Sequence, residues 1–120
     1  MAAGVDAIET ARIQATLDRF GKRFLDRVYT ENEQRYSRNR AEELAVRFAG
    51  KEAISKALGT GMRGVSWLEL EILNNRRGKP FIRLHGAARA RAKQLGLTSF
   101  EISLTHSRDL AIAFVVATTD

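Results

Sequence analysis

The sequence predicts an α+β fold in which an antiparallel sheet packs against a long helix, and three observations carry that prediction. Leu68, Leu70 and Ile72 alternate with Glu69 and Glu71, and Phe100, Ile102 and Leu104 alternate with Glu101, Ser103 and Thr105, as half-buried strands do. Each alternating run is followed by turn residues and a second apolar run, which is the pattern of a hairpin. Between the N-terminal segment and the first hairpin lies the strongest helical pattern of the chain. The order strand, helices, hairpin, helix, hairpin favours antiparallel pairing over alternating parallel units.

Taken in order, residues 5–8 read as a short strand, with Thr10 as the N-cap of the helix that follows. In that helix Ile13, Leu17, Phe20 and Phe24 recur at spacings of three and four and mark one buried stripe. Thr30 and Glu33 have the spacing of a capping box and start a second, short helix. The long helix runs from about 39 to 58, with Leu44, Phe48, Ile54 and Leu58 as its apolar positions and Gly59 as its stop. Residues 60–65 are a glycine-bearing loop. Residues 74–80 are a turn closed by the chain's single proline, just before a strand at 81–84. A helix rich in alanine and arginine spans 86–95 and ends at Gly96. The last run, 110–117, is apolar on both faces and predicts a central, fully covered strand.

At 120 residues the chain is sized for one domain, spanning 1–120. Its composition, 44% hydrophobic and 28% charged, is that of a folded globular protein. With no cysteine, thiolate metal sites, disulfides and cysteine nucleophiles are excluded. No apolar run approaches the roughly 20 residues that span a bilayer, and the N-terminus lacks a basic region leading into an apolar one. The chain therefore reads as cytoplasmic, with no membrane partner. A net charge of +6 favours an anionic substrate or partner. Nucleic acid is disfavoured, because the aromatic residues are grouped on no strand and the basic residues are spread over several segments.

Several constellations can carry chemistry. Glu52 and Lys56 are four apart on the long helix, so they project from one side of it. That pair is either an ordinary surface ion pair or a site in which Glu52 holds a hard cation and Lys56 an oxyanion. Asp6 interrupts an apolar strand, where a bare carboxylate is costly and needs a partner. A structural salt bridge and joint Mg²⁺ ligation with Glu52 both meet that need, and spacing does not show that the two carboxylates meet. His106 ends a strand, where it is a turn residue or a phosphate contact; His85 has no comparable context. Arg12, Arg19, Lys22 and Arg23 share one face of the first helix if that helix continues through Gly21, and such a face either docks an acidic helix or is simply solvated. The Gly59-Thr60-Gly61 and Gly78-Lys79-Pro80 turns are weak phosphate-binding signals, and neither is a Walker loop.

Four separated segments together resemble the holo-acyl-carrier-protein synthase family of phosphopantetheinyl transferases. They are Gly4-Val5-Asp6, the stretch from Arg47-Phe48-Ala49-Gly50-Lys51-Glu52-Ala53 to Lys56-Ala57-Leu58-Gly59-Thr60-Gly61, Gly78-Lys79-Pro80, and Ser103-Leu104-Thr105-His106. The resemblance implies transfer of the phosphopantetheine arm of coenzyme A to a serine of apo acyl carrier protein, with release of adenosine bisphosphate. It further implies that Asp6 and Glu52 hold Mg²⁺ together with the coenzyme A pyrophosphate, and that Lys56 contacts the phosphate or leaving group. Arg47, Lys79, Pro80 and His106 match positions lining the coenzyme A pocket, and Arg12 matches an arginine that meets the acidic carrier helix. Arg19 and Arg23 fall on that same partner-binding surface. Members of this short type resemble homotrimers with active sites between subunits. Gly50 stands where alanine is usual, and Tyr29-Thr30 where leucine-threonine is usual. Ile8 stands where longer, two-domain relatives carry a second acid, which leaves two protein carboxylates for the metal. The proton acceptor for the attacking serine is then Glu52 or a water held at the metal.

Overall fold

The structure, a computed structural model, describes residues 1–119. Strand β1 (Ala2–Glu9) leads into helices α1 (Thr10–Phe20), α2 (Lys22–Val28), α3 (Glu31–Ser37) and α4 (Ala41–Ala57). After a 3₁₀ turn at Trp67–Glu69 come β2 (Leu70–Asn74), β3 (Pro80–Leu84), α5 (Gly86–Gln94), β4 (Ser99–His106) and β5 (Leu110–Thr118). All pairing is antiparallel: β1-β5-β4 form one sheet and β2-β3 a separate hairpin. The fold is thus α+β, with α4 lying across the three-stranded sheet.

Small residues let α4 come close. Ala111, Ala113 and Ala117 line the inner face of β5 and are fully buried. On β1 a Cβ at Gly4 would run into the Ala53 carbonyl oxygen of α4, so only glycine allows this approach. Two residues on, Asp6 faces the same way by the period of the strand. Ile8, two further, is buried in the core, whose largest buried apolar side chains include Leu44, Ile54, Leu58, Leu70 and Ile72. At Gly50 a Cβ would lie 2.5 Å from the Ile72 δ-methyl, which fills the space that an alanine there would need.

The structure departs from the sequence reading at several points. Thr10 is the first helical residue rather than the cap, and Glu9 occupies the N-cap with extended backbone. The first helix does not continue through Gly21, whose φ of 54° ends α1 and redirects the chain into α2. Phe20, expected on the buried stripe, is consequently exposed, whereas Ile13 and Phe24 are buried. The long helix starts at Ala41 because Arg38 and Asn39 both adopt left-handed conformations. Leu68 belongs to the 3₁₀ turn, fixed by a capping box between Ser66 and Glu69, and not to the strand. Glu71, on the polar phase of its strand, is buried. The last strand is central as expected but covered on one side only: Leu110, Ile112 and Phe114 face outward, beside Val5 of β1.

Candidate active site

Two groups of the singled-out residues come together on the surface of α4, at different places. In the first, β1 brings Asp6 to the C-terminal half of α4. The Lys56 Nζ donates to Asp6 Oδ1 at 3.1 Å and to the Val5 carbonyl at 3.0 Å. Glu52, one turn earlier, makes no side-chain hydrogen bond among the described residues. Partial burial pushes the Glu52 carboxyl above its ordinary range, the Asp6 charge pushes it further, and Lys56 opposes both. Asp6, paired with Lys56, and Glu52 are therefore near enough to feel each other's charge, and their oxygens are a hard donor set suited to Mg²⁺. No group of three or more histidine, cysteine or carboxylate side chains is arranged to hold a metal ion among the described residues.

The second group surrounds a cavity of about 160 Å³ at the N-terminal half of α4, lined by Tyr36, Glu43, Arg47, Asn74, Pro80 and His106 among others. The Arg47 guanidinium is buried, bonded to Asn74 Oδ1, 3.6 Å from Glu43 and stacked 4.5 Å from the Tyr36 ring centroid. Its Nε and the Glu43 Oε2 are buried with no hydrogen-bond partner among the described residues. His106 sits 3.9 Å from both Glu42 and Glu43. Lys79 does not join this group: its ammonium lies 3.5 Å from Glu101 on β4, while Gly78 and Pro80 line the cavity.

The arginines divide as α1 and α2 do. Arg12 and Arg19 are exposed on α1, with Arg19 over the Phe20 ring, while Arg23 lies on α2 and Lys22 pairs with Asp26 at 2.9 Å. The break at Gly21 removes the continuous stripe that the spacing predicts. In its place Arg23 and Arg27 rim a cavity of about 360 Å³ with Phe20, Phe24, Phe48 and Trp67, the last two stacked 4.7 Å apart.

One arrangement was not legible as such. Lys51, inside the long-helix motif, is completely buried and donates to Glu33 Oε1, the Trp67 carbonyl and the Leu70 carbonyl. Glu33, also fully buried, accepts in addition from the backbone N–H groups of Thr30 and Ile72. The capping-box spacing of Thr30 and Glu33 was the only sequence signal for it.

A family model, the 4'-phosphopantetheinyl transferase superfamily, matches residues 2–115. The chain belongs to this superfamily. Among relatives of this phosphopantetheinyl transferase, a protein of Herpetosiphon aurantiacus named holo-[acyl-carrier-protein] synthase is 50% identical over 120 residues, covering 94% of each chain. A protein of the same name from Solibacter usitatus is 44% identical, again with 94% of each chain covered. Among solved structures, the holo-[acyl-carrier-protein] synthase of Neisseria meningitidis matches with a TM-score of 0.90 and 33% identity over 98% of both chains. That of Helicobacter pylori, in complex with coenzyme A, matches with a TM-score of 0.89 and 31% identity over 97% of this chain and 99% of its own.

Proposed function

We propose that this chain moves the 4'-phosphopantetheine arm of coenzyme A onto a serine of apo acyl carrier protein, using Mg²⁺ held by Asp6 and Glu52. The observation that carries the reading is the convergence of Asp6 on β1 with Glu52 and Lys56 on α4, in a chain half identical to a holo-[acyl-carrier-protein] synthase. In the reaction a bond forms between the serine oxygen and the phosphorus that carries the pantetheine arm, and the serine proton passes to Glu52 or to a water. The bond from that phosphorus to the adenosine bisphosphate breaks. Bound Mg²⁺ would neutralise charge that collects on the pyrophosphate oxygens. The chain's own part is mostly positioning and fixed charge. Lys56 offers an ammonium to the leaving phosphate, and Arg47, Asn74, Pro80 and His106 offer a walled cavity for the nucleotide end. The aromatic cavity rimmed by Arg23 and Arg27, with Arg12 and Arg19 on the adjoining helix, suits an acidic amphipathic helix of the carrier. No helix of the described residues is long and apolar enough to cross a membrane, and we place the reaction in the cytoplasm with its two substrates.

We further read the chain as a homotrimer. The outer face of the three-stranded sheet carries Val5, Leu110, Ile112 and Phe114 uncovered, with Phe114 47% exposed. An apolar sheet face of this kind calls for a partner surface, and the separate places of the two residue groups on α4 suit a site completed between copies. Phe114→Asp is expected to dissociate the assembly and abolish transfer; an unchanged mass in light scattering would refute that interface.

The deciding experiment is incubation with Mg²⁺, coenzyme A and an apo carrier, read by the intact mass of the carrier. The expected result is gain of one phosphopantetheine group, and no gain sinks the proposal. Asp6→Ala should remain folded and lose at least about 100-fold in rate; a fully active variant would remove Asp6 from the metal site.

A further inference from the structure

An ammonium already occupies the place where this chain gathers its carboxylates. Lys56 spends two of its three N–H groups on Asp6 Oδ1 and the Val5 carbonyl. We propose that Lys56 is the resident counter-ion of Asp6 in the substrate-free protein, displaced by the divalent cation, so that loading the metal is what frees Lys56 for the coenzyme A phosphates. The inference rests on the reading of Asp6 and Glu52 as the metal carboxylates.

Three features support displacement over coexistence. Mg²⁺ takes carboxylate oxygens at roughly 2.0–2.1 Å in a near-octahedral shell with its own waters, so an ammonium bonded to the same carboxylate meets both a like charge and a competing set of ligands. Lys56 is held loosely, with half of its side chain exposed, on a flexible four-carbon stem. Among the described residues its ammonium makes only the two hydrogen bonds to Asp6 and Val5. The carboxylates exceed the paired cations: Asp6 is matched by Lys56, whereas Glu52, one turn earlier on α4, makes no ion pair among the described residues, so negative charge remains to draw in a second cation. A dication satisfies both acids and makes Lys56 redundant there. The lysine, one turn from Glu52 on α4, then becomes available to a phosphate.

The contact therefore works as an autoinhibitory bridge that keeps Asp6 neutralised and Lys56 off the phosphate site until the metal arrives. By reciprocity, whatever holds Lys56 on Asp6 weakens metal binding by the same factor.

The test uses the full chain without coenzyme A and reads binding, not turnover. Mn²⁺ affinity is measured from the free-ion electron paramagnetic resonance signal for wild type and Lys56→Met. The variant should bind about two- to fivefold tighter, the range expected when a half-exposed ion pair no longer competes. In wild type, the ¹H–¹⁵N resonance of the Lys56 ammonium should leave its metal-free position as Mg²⁺ is added, with a midpoint at the binding constant. Equal or weaker Mn²⁺ affinity in the variant overturns the inference, as does a Lys56 resonance unmoved at saturating Mg²⁺. Both outcomes leave the carboxylate site standing, because wild type still binds the ion. Absence of Mn²⁺ binding in both proteins instead overturns the carboxylate site, and the inference with it.

Discussion

Helix α4 presents two lysine–carboxylate pairs that look alike in distance and differ in everything else. Lys51 meets Glu33 at 2.8 Å and Lys56 meets Asp6 at 3.1 Å. The first pair has no exposed side-chain surface on either partner; in the second, Lys56 is 50% and Asp6 21% exposed. Lys51 uses all three N–H groups on Glu33 and two carbonyls, whereas Lys56 keeps one for solvent or a ligand. Burial, not proximity, separates a lysine that fixes α3, α4 and β2 together from one that keeps its contact with solvent. Burial pulls the Lys51 ammonium below its ordinary range and Glu33 opposes that pull, so Lys51 relies on its partner to remain charged.

The largest expected effect breaks the buried pair. Lys51→Met keeps the stem and removes the charge, leaving Glu33 buried without its cation. It should cost about 3–5 kcal/mol in urea unfolding, enough to unfold much of a small domain at physiological temperature. A loss below about 1 kcal/mol would mean that the two pairs are equivalent and that burial does not decide their roles.

Acid separates the two surroundings by sign. Beside the buried pair, Glu71 is pushed up by burial, but hydrogen bonds from Thr30, His85 and Asn32 together hold it below its ordinary 4.5. Its contribution is therefore present above pH 4.5 and is lost as pH falls through its lower folded value. In the exposed group Glu52 is raised, so the folded state favours its protonated form. Its contribution is complete below 4.5 and lost as pH rises through the folded value. Glu71→Gln should flatten the acid limb of a thermal-stability profile and lower neutral-pH stability by about 1 kcal/mol. Glu52→Gln, without metal, should raise the melting temperature slightly at pH 7 and leave it unchanged at pH 4. Parallel responses of the two variants would contradict the assigned directions.

The same contrast marks what the sequence reveals. Glu52 and Lys56 share a face because a helix repeats every 3.6 residues, so their pairing is local and legible. Asp6 was legible as a carboxylate in need of a partner, but its partner lies 50 residues away and only the glycine-permitted approach of β1 to α4 brings them together. The burial of Lys51 was not legible, since a lysine in a helical motif reads as exposed until its partner on another helix is known. Glu71 misled for a related reason: alternation assigns a side chain to a face without saying what else covers that face. The outer face of β5 shows the converse, because apolar residues on both sides demand cover without stating which molecule supplies it. Gly21 lies within an apolar periodicity that runs straight through it, and its positive φ, which ends α1, is invisible to spacing.

The smallest expected effect completes the comparison. Lys56→Met removes a pair that is half in water, whose attraction is screened and opposed by side-chain entropy, so stability should change by no more than about 1 kcal/mol. Loss of the charge also ends the partial relief it gives Glu52, so the net change can take either sign within that limit. Phosphopantetheine transfer should nevertheless fall by about 10- to 100-fold, because a charge aimed at a leaving phosphate counts in the transition state more than in the fold. Melting temperature and single-turnover rate measured on the same sample read the two quantities independently. If Lys56→Met melted as early as Lys51→Met, the exposed pair would be a structural strut like the buried one. A stable variant with a slow rate would separate the two lysines by role, with Lys51 spent on the position of α4 and Lys56 on the phosphate.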